Sequence, residues 1–239
     1  MKQGFVKVAS ATPRIRVADP VYNAQVICEQ AKEAAEHGAK IVVFPELCIT
    51  GYTCNDLFLQ ELLLEKAKEA LLTIAEETGQ LETLFLVGLP VDKDGRLYNV
   101  AAVLYRGRIL GMIPKKNIPM YAEFYEGRHF TPGEETVTEY RLGKQVIPFG
   151  SNLLFRCEEL PELILGCELC EDLWVAEPPS TSHALMGATV IANLSASNET
   201  VSKDDYRTLL IKASSARLLC GYISVSYTHL RAHETAANL

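Results

Sequence analysis

The chain has 239 residues, 48 % of them hydrophobic, enough to bury the core of one large domain. A net charge of -7 and one local lysine pair, Lys115-Lys116, offer no surface for nucleic acid. With no run of about 18 apolar residues, no apolar core in the opening MKQGFVKVASATPRIRV and seven sparsely spaced cysteines, we expect a soluble, cytoplasmic protein with reduced thiols and no membrane partner.

Taken in chain order, Phe5 to Ala9 reads as a strand. Asp19-Pro20 is an N-cap with proline in the first turn, and it opens a helix with Val21, Ala24, Cys28, Ala31 and Ala35 on one face, ended at Gly38. Ile41 to Phe44 is a short β-branched run suited to a strand buried on both faces. A long helix is expected over Asn55 to Thr78, then a strand at Leu84 to Leu89. The turn signals Asp94-Gly95 and Arg106-Gly107 flank Leu97 to Tyr105 and Arg108 to Ile113, which predicts a β-hairpin and a mixed sheet. Residues 114–151 are irregular and rich in Pro, Gly and aromatics, longer than an ordinary connection and so a candidate functional segment. Strands follow at Asn152 to Phe155 and Glu162 to Cys167, a helix near Ser180 to Met186, a strand at Thr189 to Leu194, a helix over Asp204 to Leu219 and a strand at Tyr222 to Val225.

Three reactive residues each follow an apolar strand. Phe44-Pro45-Glu46 and Ile113-Pro114-Lys115 share one device, because proline cannot donate to the ladder and the next side chain falls past the strand's tip. Cys170 falls at or beyond the end of Leu163 to Cys167. If these ends share one edge, Cys170 can attack a carbonyl, Glu46 can move its proton and Lys115 can stabilise the oxyanion. The residues also allow a plainer reading, with a solvated Glu46, a surface Lys115 and a core Cys170. Cys167-x-x-Cys170 allows a thiol-redox or metal-binding module. Neither G-x-G-x-x-G, G-x-x-x-x-G-K-[ST] nor G-x-S-x-G occurs.

Pro45-Glu46-Leu47 with Thr50-Gly51-Tyr52, Lys115 with Ile118-Pro119 and Tyr121 to Glu126, and Gly166 to Trp174, in this order and spacing, resemble the nitrilase (carbon-nitrogen hydrolase) superfamily. Within it they resemble the glutaminase domains of glutamine-dependent NAD synthetases. The resemblance implies an α/β fold with mixed sheets, the four-layer α-β-β-α sandwich, over residues 1–226. It implies Glu46 as base, Lys115 as oxyanion partner and Cys170 as nucleophile in releasing ammonia from L-glutamine through a thioester. Tyr121, Ser197, Lys203 and Glu171 would hold the amino-acid head group, with Glu123 orienting Lys115 and Tyr52 and Phe124 supporting the site. It implies self-association and no cofactor or metal for the amide cleavage. ATP and Mg would belong to a synthetase domain whose Ser-Gly-Gly-rich loop is absent from these residues. The family's Gly-Glu-Ser-Thr-Thr-Asp-like segment is replaced by YTHLRAHETAANL at 227–239, which resembles a non-native or disordered tail. A stand-alone amidase or carbamoylase acting on another small amide is the alternative within the superfamily.

Overall fold

The structure is a computed structural model and describes residues 4–227. Two sheets stack face to face with a helix pair over each outer face. The first sheet has seven strands: β1 (Val8–Ser10), β2 (Ile41–Val43), β3 (Leu84–Lys93), β4 (Arg96–Tyr105), β5 (Arg108–Pro114), β6 (Thr138–Leu142) and β7 (Gln145–Phe149), in the order β1-β2-β3-β4-β5-β7-β6. The second is built from β8 (Leu154–Arg156), β9 (Ile164–Leu169), β10 (Val190–Leu194) and β11 (Gly221–Val225), in the order β11-β10-β9-β8. Helices α1 (Pro20–Glu36) and α2 (Glu61–Glu77) cover the first sheet, and α3 (Pro179–Leu185) and α4 (Lys203–Leu218) the second.

The layering follows from strands that are apolar on both faces. In Ile41-Val42-Val43-Phe44 the odd pair packs with Leu165, Cys167 and Val225 between the sheets. The even pair packs with Ile27, Ala31, Leu71 and Ile74 under α1 and α2. This period-two split is what a buried strand needs when helices cap one side and a sheet the other. On the far side, Ile191 joins Ala188 and Cys220 beneath Ala184 and Leu218. At about 25 cal/mol per Å² these layers are the main source of stability.

Asp19 caps α1 by accepting the Tyr22 N–H at 3.1 Å, and Pro20 opens the helix as its sequence predicts. The buried face is Asn23, Ala24, Ile27, Cys28 and Ala31; Val21, expected on it, is exposed. The expected helix over 55–78 is two elements. A 3-10 segment at Tyr52–Leu59 contains Asn55 at φ 48°, and Gln60 is extended before α2 starts. The first strand is Val8–Ser10, and Phe5 is exposed. Both hairpin turns have two successive residues at positive φ, Asp94-Gly95 and Arg106-Gly107, the backbone that matches the strands' twist. Residues 114–151, expected to be irregular throughout, include the hairpin β6–β7 with Tyr140, Leu142, Ile147 and Phe149 buried. Tyr227, placed at the head of the tail by its sequence, is buried and donates its hydroxyl to the Glu46 carbonyl at 2.7 Å. Residues 228–239, the rest of that tail, lie outside the described residues.

Candidate active site

Strand direction brings the three reactive ends to one place. β2 and β3 are parallel, and β4 is antiparallel to both β3 and β5, so β2 and β5 end at the same edge of the first sheet. In the second sheet β9, β10 and β11 run parallel. The Glu46 N–H donates to the Ser195 carbonyl beyond β10 at 3.4 Å, which ties the two sheets' ends together. The turn carrying Glu46 lies directly on β3 at Gly88. A Cβ there would come within 2.3 Å of the Leu47 nitrogen and 2.7 Å of the Pro45 carbonyl oxygen, so only glycine admits this approach.

Lys115 is wholly buried, and its Nζ donates to Glu46 Oε1 and to Glu126 Oε1, each at 2.7 Å. Burial alone would lower its pKa, but the Glu126 and Glu46 carboxylates outweigh that and hold it well above the usual lysine value. Asn99, a fully buried amide on β4, donates from Nδ2 to Glu46 Oε1 at 2.7 Å, with Glu126 Oε2 at 3.4 Å. Its backbone carbonyl accepts the Lys115 backbone N–H at 2.8 Å. The Tyr52 hydroxyl donates to Glu126 Oε1 at 2.5 Å. Glu46 Oε1 therefore receives two donors, whereas the buried Oε2 has no partner among the described residues. Burial raises the Glu46 pKa, with the Lys115 charge opposing. That combination suits a carboxylate that must both accept and return a proton.

Cys170 follows β9 directly and opens a 3-10 turn, Cys170–Leu173, with φ at 42°. This left-handed backbone is uncommon for a side-chain-bearing residue and recurs at functional positions. Burial and then the Glu46 charge push its thiol up to about 12, while Lys115 and the Ala196 backbone amide act the other way. The free thiol is thus protonated at neutral pH and needs a neighbouring base to react. Cys167 packs in the apolar layer between the sheets and senses Glu168 and Asp172, whereas Cys170 senses Glu46, Lys115 and Glu126, so the two thiols have different surroundings.

Around this centre, the half-exposed Tyr121 donates its hydroxyl to Glu171 Oε2 at 2.8 Å and sets its ring edge-on to Phe124, with centroids 5.5 Å apart. Lys203 Nζ lies 5.2 Å from the Trp174 ring centre and 5.7 Å from that of Phe124, and donates to Asn198 Oδ1. Burial lowers its pKa, and the Cys170 charge is among the groups it senses. Ser197 is buried in the same segment as Asn198, with its N–H donating to Ser226 Oγ at 3.1 Å. Glu123 does not orient Lys115: its carboxylate accepts from Asn198 Nδ2, and the residue beside Lys115 is Glu126. The correction is one turn of chain, since Glu126 begins a 3-10 turn that points it inward. Asn99 and Glu126 escaped the sequence reading. A signal for Asn99 was available, as it is the one polar side chain inside the apolar run Val100 to Leu104 and its flank Leu97-Tyr98.

The sequence pattern of the family described as carbon-nitrogen hydrolase matches residues 7–226. Over 222 residues the chain is 41 % identical to the glutamine-dependent NAD(+) synthetase of Mycobacterium tuberculosis strain H37Rv, covering 93 % of this chain and 33 % of that protein. A crystal structure of a glutamine-dependent NAD(+) synthetase from Cytophaga hutchinsonii superposes with a TM-score of 0.83 at 29 % identity, over 93 % of this chain and 36 % of that one. An amidase from Nesterenkonia sp. shares the fold, with a TM-score of 0.69 at 20 % identity over 92 % of this chain and 76 % of that one. The chain spans about a third of the length of the curated relatives it matches. Together with the sandwich and its buried Glu46–Lys115 pair beside Cys170, the match places this chain in the carbon-nitrogen hydrolase family.

Proposed function

We propose that the chain is the glutamine-hydrolysing part of a glutamine-dependent NAD synthetase and releases ammonia from L-glutamine through a thioester on Cys170. The observation that carries this reading is the wholly buried Lys115 ammonium shared by Glu46 and Glu126 beside a thiol that is protonated at rest. Relatives with that printed name, at 41 % identity, give the substrate class.

In the first half-reaction Cys170 Sγ attacks the side-chain amide carbon while its proton passes to Glu46, where the unpartnered Oε2 is the atom able to take it. Lys115 Nζ donates to the oxyanion that forms. The carbon–nitrogen bond then breaks, Glu46 returns the proton to the leaving nitrogen, and ammonia departs. In the second half-reaction water attacks the thioester, Glu46 takes the water's proton, the carbon–sulfur bond breaks and the thiol is re-formed as glutamate leaves. A positioned base of this kind contributes about 10²–10⁴-fold, which compensates for the scarcity of thiolate.

Glutamine presents an α-carboxylate and an α-amine. Lys203, partly desolvated among Phe124 and Trp174, supplies a cation for the first, and Glu171 with Tyr121 supplies acceptors for the second. Ser197 lines the same segment. Amide cleavage in this scheme uses protein side chains alone, and the ATP- and Mg-dependent step belongs to a separate synthetase domain. The test is ammonia and glutamate release from glutamine by the wild type, Cys170→Ala and Glu46→Gln. Stoichiometric release by the wild type and none by either variant is the expected result. Equal release by Cys170→Ala would refute the assignment.

A further inference from the structure

Asp172 lies two residues after Cys170, in the turn that carries the thiol, and is buried. Its Oδ2 accepts the N–H of Leu169, the residue immediately before Cys170, at 3.0 Å, with the Lys116 N–H at 3.5 Å. Its Oδ1 accepts both the backbone N–H and the side-chain Nδ2 of Asn117, each at 2.8 Å. Every donor therefore comes from one of two places: the strand end that presents Cys170, or the two residues that follow Lys115. Each oxygen faces only donors. An asparagine could serve one of the two segments, but its NH₂ would then face an N–H of the other. The neighbouring buried carboxylate, Glu168, is engaged elsewhere, with Tyr222 and the Ser180 N–H under α3.

We propose that Asp172 is a positioning residue: its carboxylate fastens the turn bearing Cys170 to the loop leaving Lys115 and thereby fixes the approach of thiol to ammonium. The proposal rests on reading Cys170 and Lys115 as the amide-cleaving pair. The two reactive groups sit at the ends of strands in different sheets, so no single strand ladder sets their separation. Asp172 joins those ends at first neighbours of both groups. It also braces the left-handed backbone at Cys170 by holding the amide just before it. Charge-assisted hydrogen bonds from backbone amides are short and directional, which suits a fixed spacing.

The test is Asp172→Asn in the full chain, read by glutamine turnover and by peptide-mapped alkylation of each cysteine with iodoacetamide at neutral pH. One side of the clamp opens, and a misplacement near 1 Å lowers kcat by about 100-fold, while KM changes by a much smaller factor, because among the head-group residues only Glu171 rides on the displaced turn and Lys203, Tyr121 and Ser197 stand on other segments. Cys170, released from the setting that suppresses its thiolate, alkylates about tenfold faster than in the wild type, while Cys28 and Cys48, buried in the layer under the first helix pair, do not change. Asn117→Ala removes one donor and moves both readouts the same way by a smaller factor. The exchange Asp172→Asn with Asn117→Asp restores a donor–acceptor pair across the joint and recovers part of kcat.

Unchanged kcat in Asp172→Asn, after correction for the folded fraction, would overturn the proposal. So would a parallel rise in alkylation at Cys28, Cys48 and Cys54, which would make Asp172 a prop of the whole fold. If Asp172→Asn does not fold, Asn117→Ala and the exchange decide by the same criteria. A wild type that releases no ammonia, together with selective exposure of Cys170 in the variant, would sink the glutaminase reading and leave the positioning role standing.

Discussion

Removing the Asn99 amide tests how the base is set. Asn99→Ala deletes the 2.7 Å donor to Glu46 Oε1 but leaves Lys115 Nζ on the same oxygen and keeps the backbone carbonyl that holds Lys115. A hydrogen bond to a charged group is worth about 1.5–3 kcal/mol. That bond favours the carboxylate form, so its loss lets burial raise the Glu46 pKa further. In the proposed reaction the active form of this base is the carboxylate. The acid limb of the kcat/KM profile for glutamine therefore moves to higher pH, and at a fixed pH on that limb kcat/KM falls about 10- to 150-fold, since 1.36 kcal/mol is a factor of ten. Above the limb the gap narrows, because the remaining carboxylate is the stronger base. A coupled ammonia assay across pH, with circular dichroism to confirm folding, gives the answer. An unmoved acid limb, or a loss of equal size at every pH, would refute the reasoning.

Three further outcomes follow from the geometry. Gly88→Ala drives a Cβ into the Pro45–Leu47 backbone, so it should cost about 1–3 kcal/mol in thermal unfolding and lower kcat by displacing Glu46; a variant that keeps both would contradict the contact. Lys203→Ala should raise KM for glutamine more than it lowers kcat, and an unchanged KM would remove Lys203 from the substrate site. Burial raises the Asp172 carboxyl from the ordinary 3.8 to about 6. The folded state thus binds this proton more tightly than the unfolded chain. Its contribution to stability is fully present below the unfolded value and is lost as pH climbs through the folded one, by about 3 kcal/mol at most. The urea-unfolding free energy of the wild type relative to Asp172→Asn should accordingly fall between about pH 4 and pH 7, and a flat difference would refute the shift.

The parts legible in the sequence were those with local causes. Asp94-Gly95 and Arg106-Gly107 dictate tight turns, and Phe44-Pro45 and Ile113-Pro114 end strands and send Glu46 and Lys115 off their tips. The break at Gln60 has no such cause. No glycine or proline interrupts residues 55–78, and the kink rests on tertiary burial of Cys54 and Phe58 around the unusual Asn55 backbone. The β6–β7 hairpin was masked because Glu139, Arg141 and Lys144 dilute an alternation whose buried half is Tyr140, Leu142, Ile147 and Phe149. At the site, strand ends could be named but their partners could not. Glu123 and Glu126 look equivalent in sequence, and only the 3-10 turn after Tyr125 decides which one reaches Lys115. Asn99 acts across three strands, a relation that register creates and spacing does not reveal.

The most direct test of the central claim is peptide-mapped mass spectrometry after incubation with 6-diazo-5-oxo-L-norleucine, an electrophilic glutamine analogue, with and without excess glutamine. The account predicts a single adduct on Cys170 that glutamine suppresses. An adduct on another cysteine such as Cys157 or Cys167, or labelling of Cys170 that glutamine does not affect, would contradict it.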